Sequence, residues 1–264
     1  MNLMRLVLHA ALAVPYNLRR MAGRGPFGPG AATYVAQPAA DGGNALKRAL
    51  IRHYVRQYSN SSCSVASVVS VVNALRSLND RRHRPIGQLE ILDAVDTADW
   101  KARMSPSGHR GRRGLPLSLL GEVVRSALDI YQIPYRRIDT VAADAHPGRS
   151  RDLKAVLRRR LEAFEGPGSG LIIAHFDQGA FVRALNIPHI SPVGAFDADS
   201  DKVTVLDVDP DQPGPYSVSL DTFYRGLSSN FHHILRPFGY FGGGYVWVGI
   251  TGATLTRSKL RGES

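Results

Sequence analysis

Apolar residues in ALKRALIRHY (45–54) recur at helical spacing, as do those of the 63–78 run, LSLLGEVVRSALDI (117–130) and RDLKAVLRRRLEAF (151–164). These four segments predict helices. After GPGSG (166–170) the period changes: LIIAHF, HISPVGAF, KVTVLDV and YVWVGI are short continuous or alternating runs set between turn residues, and they predict strands. Helices first and an antiparallel sheet second make an α+β fold with a cleft between two lobes. Asp197-Ala198-Asp199-Ser200-Asp201 separates two strand runs and predicts a hairpin. With those five residues as the loop, Phe196 pairs with Lys202. Without a bulge, His189 then lies opposite Asp209 and diagonal to Asp207, and diagonal partners share a face.

Three regions follow from the pattern. Residues 1–44 read as an amphipathic helix and a Gly/Ala/Pro-rich arm, 45–252 as the folded body, and 253–264 as a basic tail. In the first 25 residues, Leu3, Leu6, Val7, Ala10 and Val14 fall at helical spacing among arginines with no acid, so a peripheral membrane contact is an expectation. A signal peptide cut near Ala11-Leu12-Ala13 is the alternative. No run approaches the roughly 18 apolar residues needed to cross a bilayer.

With 264 residues, 44% of them hydrophobic, the chain has enough apolar surface for a full core. A net charge of +11 favours polyanions, membrane surfaces or anionic small substrates. One cysteine forms no internal disulfide and suits a reducing, cytoplasmic setting, with export left open. No paired Cys and His spacing is present, so neither a metal site nor a cofactor is expected. Arg110, Arg112 and Arg113 in a glycine-rich loop, and Arg158, Arg159 and Arg160 on a helix, read as solvated faces. Nucleic acid is not an expected partner, because the charges lack interleaved aromatics and any module signature. Oligomeric state leaves no mark on the pattern.

The single thiol is the candidate for chemistry. Val65, Val68, Val69, Val72 and Leu75 share one stripe of the 63–78 helix, with Ser61 or Ser62 as its N-cap. Cys63 then lies in the first turn, where unpaired N–H groups and the positive end of the helix dipole favour a thiolate. A buried core thiol is the alternative, since free cysteine is among the most buried residue types, and the valines leave a strand open too. His189 beside an aspartate able to fix its tautomer, with a thiol from the helical lobe, would form a Cys–His–Asp nucleophilic site. His189 and Asp207 alone read equally well as a structural pair.

Gln57 precedes Cys63 by six positions, the spacing at which papain-like enzymes place an oxyanion-hole glutamine. QYSNSSCSVASVVSVVNAL (57–75), GLPLSLL (114–120) and HISPVGAFDADSDKVTVLDV (189–208) together resemble the catalytic region of phytochelatin synthases, within the papain-like cysteine peptidase superfamily. That family's motifs run approximately Gln…Cys-Gly-x-Ala-Ser…Asn-x-Leu and His-x-Ser-Pro-x-x-x-Tyr…x-Leu-Asp-Val. The resemblance covers roughly residues 45–250, in a short bacterial-type form without the cysteine-rich C-terminal region. It implies a papain-like fold with Cys63 as nucleophile, His189 as general acid and base, and Asp207 as the orienting carboxylate. It further implies Gln57 as oxyanion donor with the Cys63 N–H, and Ser191 and Arg183 as substrate contacts. The implied substrate is glutathione or a similar peptide, with metal ions arriving as metal–thiolate complexes of that substrate.

Three departures modify the expectation. Ser64 stands where the family has glycine. VDPDQPGPY follows Asp207 in place of a basic, aromatic stretch, and Phe176-Asp177-Gln178-Gly179 occupies the region of a family arginine, leaving Arg183 as the nearest substitute. Weakened holding of a second peptide would make hydrolysis outrun transfer. The competing expectation is a binding or adaptor protein that keeps the fold without turnover.

Overall fold

The computed structural model describes residues 7, 11, 14, 30–36, 43–80, 83–183, 187–229 and 242–250. Of the predicted N-terminal helix only Val7, Ala11 and Val14 fall among these, each helical and exposed. The rest of that segment and the 253–264 tail lie outside the described residues. The helices are α1 (Ala45–His53), α2 (Cys63–Asn79), α3 (Gln88–Ala94), α4 (Trp100–Met104), α5 (Leu117–Ile130), α6 (Pro147–Glu165) and α7 (Leu220–Ser228). The strands are β1 (Thr33–Tyr34), β2 (Arg137–Ala142), β3 (Gly170–Asp177), β4 (Pro188–Asp197), β5 (Lys202–Val205), β6 (Tyr216–Ser219) and β7 (Gly244–Gly249). They form one antiparallel sheet in the order β1-β6-β5-β4-β3-β7-β2. No helix among the described residues is long and apolar enough to cross a membrane.

The valines of α2 cost at most about 0.7 kcal/mol each in helix propensity. Burial decides against a strand: Val65, Val68, Val69, Val71 and Val72 are at most 1% exposed, and each contributes about 1.5–3 kcal/mol by leaving water. The expected single stripe is nonetheless wrong. Every residue from Ser64 to Leu75 is buried, because α2 packs against α1, α3, α5 and the sheet. Its serines fit that interior by bonding back to the helix, Ser67 Oγ to the Cys63 carbonyl at 2.8 Å and Ser70 Oγ to that of Ala66 at 2.7 Å.

The strict order of helices before sheet also needs correction. β2 lies in the helical part and pairs only with β7, while α7 interrupts the strands. α6 starts four residues before the predicted Arg151, with Pro147 in its first turn, where a missing N–H costs nothing. β3 is buried on both faces, which explains its unbroken apolar run. Leu171 and Ile173 face the α2 side of the core, and Ile172, Ala174 and Phe176 face the side covered by α6 and α7.

The predicted hairpin exists with a different register. Asp197, not Phe196, pairs with Lys202, and an irregularity between Val193 and Ala195 shifts the ladder so that Val193 pairs with Val205. The bulge restores, beyond Gly194, the alignment that the five-residue loop required. His189 and Asp207 thereby meet despite the altered loop.

The second arginine cluster is not a solvated face. Arg160 pairs with Asp139 on β2 and lies over Tyr245 and Trp247 of β7, with 4.7 Å to the Trp247 centroid. Arg158 pairs with Glu162 and Asp201 and covers Phe196, leaving Arg159 exposed. These are clamps between α6 and the sheet.

The packing of α7 reaches the site through Phe181. A Cβ added to Gly226 would stand 2.4 Å from Phe181 Cζ, so Gly226→Ala should destabilise the fold by about 1–3 kcal/mol through overpacking. A lowered urea midpoint with unchanged slope would show it, and an unshifted midpoint would contradict this packing.

Candidate active site

Three separate pieces of backbone converge at one end of the sheet. Cys63 opens α2, His189 lies near the start of β4, and Asp207 follows β5. Ser62 occupies the N-cap position but does not cap. Its hydroxyl bonds the Ser59 carbonyl and accepts the Ser59 N–H, both at 2.9 Å, so no side chain occupies the first N–H groups of α2. Those donors face the half-buried Cys63 thiol's end of the helix.

Cys63 lies close enough to the His189 imidazole to act on its protonation, and His189 Nε2 meets Asp207 Oδ1 at 2.8 Å. With Nε2 engaged there, Nδ1 is the nitrogen left for sulfur. Phe176 packs edge-on to the imidazole at 5.7 Å between centroids. The Ser67 hydroxyl also reaches the Ile190 carbonyl at 3.0 Å, tying the turn that bears Cys63 to the strand that bears His189. The Gln57 N–H donates to the Val208 carbonyl at 2.8 Å, which fixes its segment to the Asp207 backbone. Gln57 Oε1 is buried without a partner among the described residues.

Burial alone would strip the proton from His189. The Asp207 carboxylate reverses this and, with the Cys63 contact, raises its pKa to about 10. His175, buried beside it and repelled by its charge, is held neutral with a pKa near 4. Burial opposes the Asp207 charge as well, but His189, Tyr216 and a backbone N–H outweigh it and lower its pKa.

All four acceptor positions of Asp207 are filled. Oδ1 receives His189 and the Asp209 N–H at 2.9 Å; Oδ2 receives the Tyr216 hydroxyl at 2.6 Å and Gln178 Nε2 at 3.1 Å. The second proton of that Gln178 amide goes to Asp209 Oδ2 at 3.0 Å, and Arg183 Nη2 reaches the same oxygen at 2.6 Å. Sequence reasoning missed Tyr216 and Gln178 as orienting groups. Gln178 was visible only as part of the 176–179 region, where a family arginine is absent, and nothing in the local pattern marks Tyr216.

The two residues expected to contact substrate have other tasks. Ser191 is fully buried, and its hydroxyl accepts the Val208 N–H at 3.2 Å. Arg183 is committed to Asp209 and Asp211, the latter at 2.9 Å. The acidic stretch after Asp207 is therefore partly neutralised, one guanidinium serving two carboxylates. Ser64 also points away from the thiol, accepting Trp100 Nε1–H at 2.9 Å and meeting Met104 Sδ at 3.7 Å.

A family model, phytochelatin synthase, matches residues 32–233. The chain belongs to the phytochelatin synthase family. The matched span contains Gln57, Cys63, His189 and Asp207, and it ends before β7, the strand that joins β2 to β3 in the sheet. Phytochelatin synthases are an enzyme family, glutathione γ-glutamylcysteinyltransferases. No individual curated protein matches the chain. The α+β architecture fits a papain-like fold.

Proposed function

We propose that this phytochelatin synthase relative is a cysteine-nucleophile enzyme that cleaves the Cys–Gly bond of glutathione or a related γ-glutamyl peptide, releasing glycine. The observation that carries the reading is the Cys63–His189–Asp207 chain of contacts, assembled from a helix start and two neighbouring sheet segments. Cys63 Sγ attacks the scissile carbonyl carbon, and the oxyanion is held by the Cys63 N–H and the Gln57 amide. His189 gives its proton to the departing glycine nitrogen, leaving a γ-glutamylcysteinyl thioester. Water then attacks that thioester while His189 takes the water's proton, and the sulfur leaves with γ-glutamylcysteine released as the free acid. The amine of a second peptide in place of water gives transfer.

Hydrolysis is the main outcome on this reading. Asp209, where the family carries a positive stretch, is an ion-paired anion whose pKa Arg183 and other donors hold at about 2 against the opposing effect of burial. It offers nothing to a second peptide's carboxylate. Metal ions enter only as thiolate complexes of the substrate.

Incubation with glutathione followed by mass spectrometry tests the proposal. Free glycine, γ-glutamylcysteine and an acyl adduct on Cys63 are expected, with longer γ-glutamylcysteine polymers a minor product. Abundant polymers would reverse the preference for water. No glycine from any γ-glutamyl peptide would leave the binding-protein reading in its place.

A further inference from the structure

The first arginine cluster sits on a braced loop. Gly114 N–H donates to the Arg103 carbonyl at 3.2 Å, Gly108 N–H reaches Ser105 at 3.1 Å, and His109 and Arg112 exchange backbone bonds of 3.0 Å. Arg110 and Arg112 are exposed, whereas Arg113 is half-buried. Its stem packs on the loop: a Cβ on Gly108 would stand 2.9 Å from Arg113 Cγ, and Gly108 has the positive φ that glycine tolerates. Arg113 is therefore held in place rather than trailing in solvent.

It lines a cavity of about 660 Å³ together with Tyr58, Ser59, Ser61, Lys101 and Met104. One wall, Tyr58–Ser61, is the segment joining the oxyanion glutamine Gln57 to Cys63. Lys101 is matched by Asp93 at 2.5 Å. The Arg113 guanidinium has no hydrogen bond or ion pair among the described residues, and Ser59 Oγ in the same wall is buried without a partner. An anchored cation with no counter-ion, across a cavity from the segment that leads into Cys63, suits a planar anion that can take two N–H bonds.

We propose that Arg113 anchors a substrate carboxylate, the cavity receiving one carboxylate-bearing end of the γ-glutamyl peptide whose carbonyl meets Cys63. This rests on the peptide reading above. Glutathione has two such groups, the γ-glutamyl α-carboxylate and the glycine carboxylate, and analogues separate them. Steady-state kinetics of the full chain and of Arg113→Gln and Arg113→Lys would use glutathione, its glycine carboxamide, and the 4-aminobutyryl analogue that lacks the α-carboxylate. In Arg113→Gln, KM for glutathione should rise about 10–100-fold, the usual effect of losing a charged hydrogen bond, with a smaller change in kcat. Arg113→Lys should recover part of the loss. The penalty should vanish for whichever analogue lacks the anchored carboxylate, since neither protein can then make the contact. An unchanged KM, or an equal penalty on all three peptides, overturns the assignment while turnover itself stands. If the unsubstituted chain does not cleave glutathione, and calorimetry of Cys63→Ser detects no binding, the peptide reading falls and the anchor with it.

Discussion

Cys63→Ser should abolish glycine release, with a loss of about 10⁶-fold, and should leave the fold intact. The serine hydroxyl matches the thiol in shape but surrenders its proton far less readily, and the site's base is an imidazole already committed to a proton. The Cys63 side chain is half-buried at the rim of the core, so the change leaves no cavity. His189→Ala should cost a comparable amount, and the double substitution little more, because a nucleophile and its base act as one unit. Gln57→Ala should cost about 10²–10³-fold, the effect of one oxyanion donor. Glycine quantified by mass spectrometry, alongside urea unfolding of each variant, decides the matter. Cys63→Ser retaining more than about one part in 10² of the rate would exclude the thiol as nucleophile, while additive losses in the double variant would separate Cys63 from His189.

Much of the candidate site was legible because its parts carry strong local signals. Cys63 stands at the join between a polar loop and an apolar run, and His189 and Asp207 lie in one hairpin whose turn residues are obvious. The hairpin's true register was not legible. The loop is shorter than its run of turn formers suggests, and the bulge near Gly194 that compensates depends on packing against Leu206, within 2.6 Å of any Cβ placed there. What orients Asp207 was hidden for a different reason. Tyr216 comes from β6 and Gln178 from the turn after β3, each brought to the carboxylate by sheet order rather than by spacing along the chain. The serines of α2 were similarly opaque, since polar residues in a fully buried helix declare themselves only through bonds to their own backbone.

The departures from the family pattern make sense as a set once these contacts are known. The 176–179 region lacks the family's arginine, and Asp209 brings a second carboxylate beside Asp207. Gln178 donates one proton to each, and Arg183 closes the far side of Asp209. His189 thus depends on Asp207, whose carboxylate Tyr216, Gln178 and the Asp209 N–H also hold.

That dependence makes Asp207→Asn the sharper test of mechanism, with an expected loss of about 10⁴-fold in kcat. An amide N–H facing His189 Nε2 would force that nitrogen to accept, moving the ring proton to Nδ1 on the Cys63 side, where it can no longer take the thiol's proton. The alternative rotamer would set the amide N–H against the Tyr216 hydroxyl and sacrifice a bond of 2.6 Å. The pH behaviour should change with it. Burial pulls the His189 pKa below its ordinary 6.5, and only the partners, Asp207 foremost, lift it to about 10. A raised pKa contributes stability that is fully present below 6.5 and lost as pH rises through about 10. The depressed pKa of Asp207 contributes stability present above the ordinary 3.8 and lost as pH falls through its lowered value. The unsubstituted protein should therefore lose Tm on the alkaline side as His189 gives up its proton, and Asp207→Asn, starting lower, should show no such fall. Thermal unfolding between about pH 5 and about pH 10, with NMR titration of the His189 ring, measures both. A His189 that titrates near 6.5 in both proteins would mean that the carboxylate does not hold the imidazolium, and the assigned role of Asp207 would be lost.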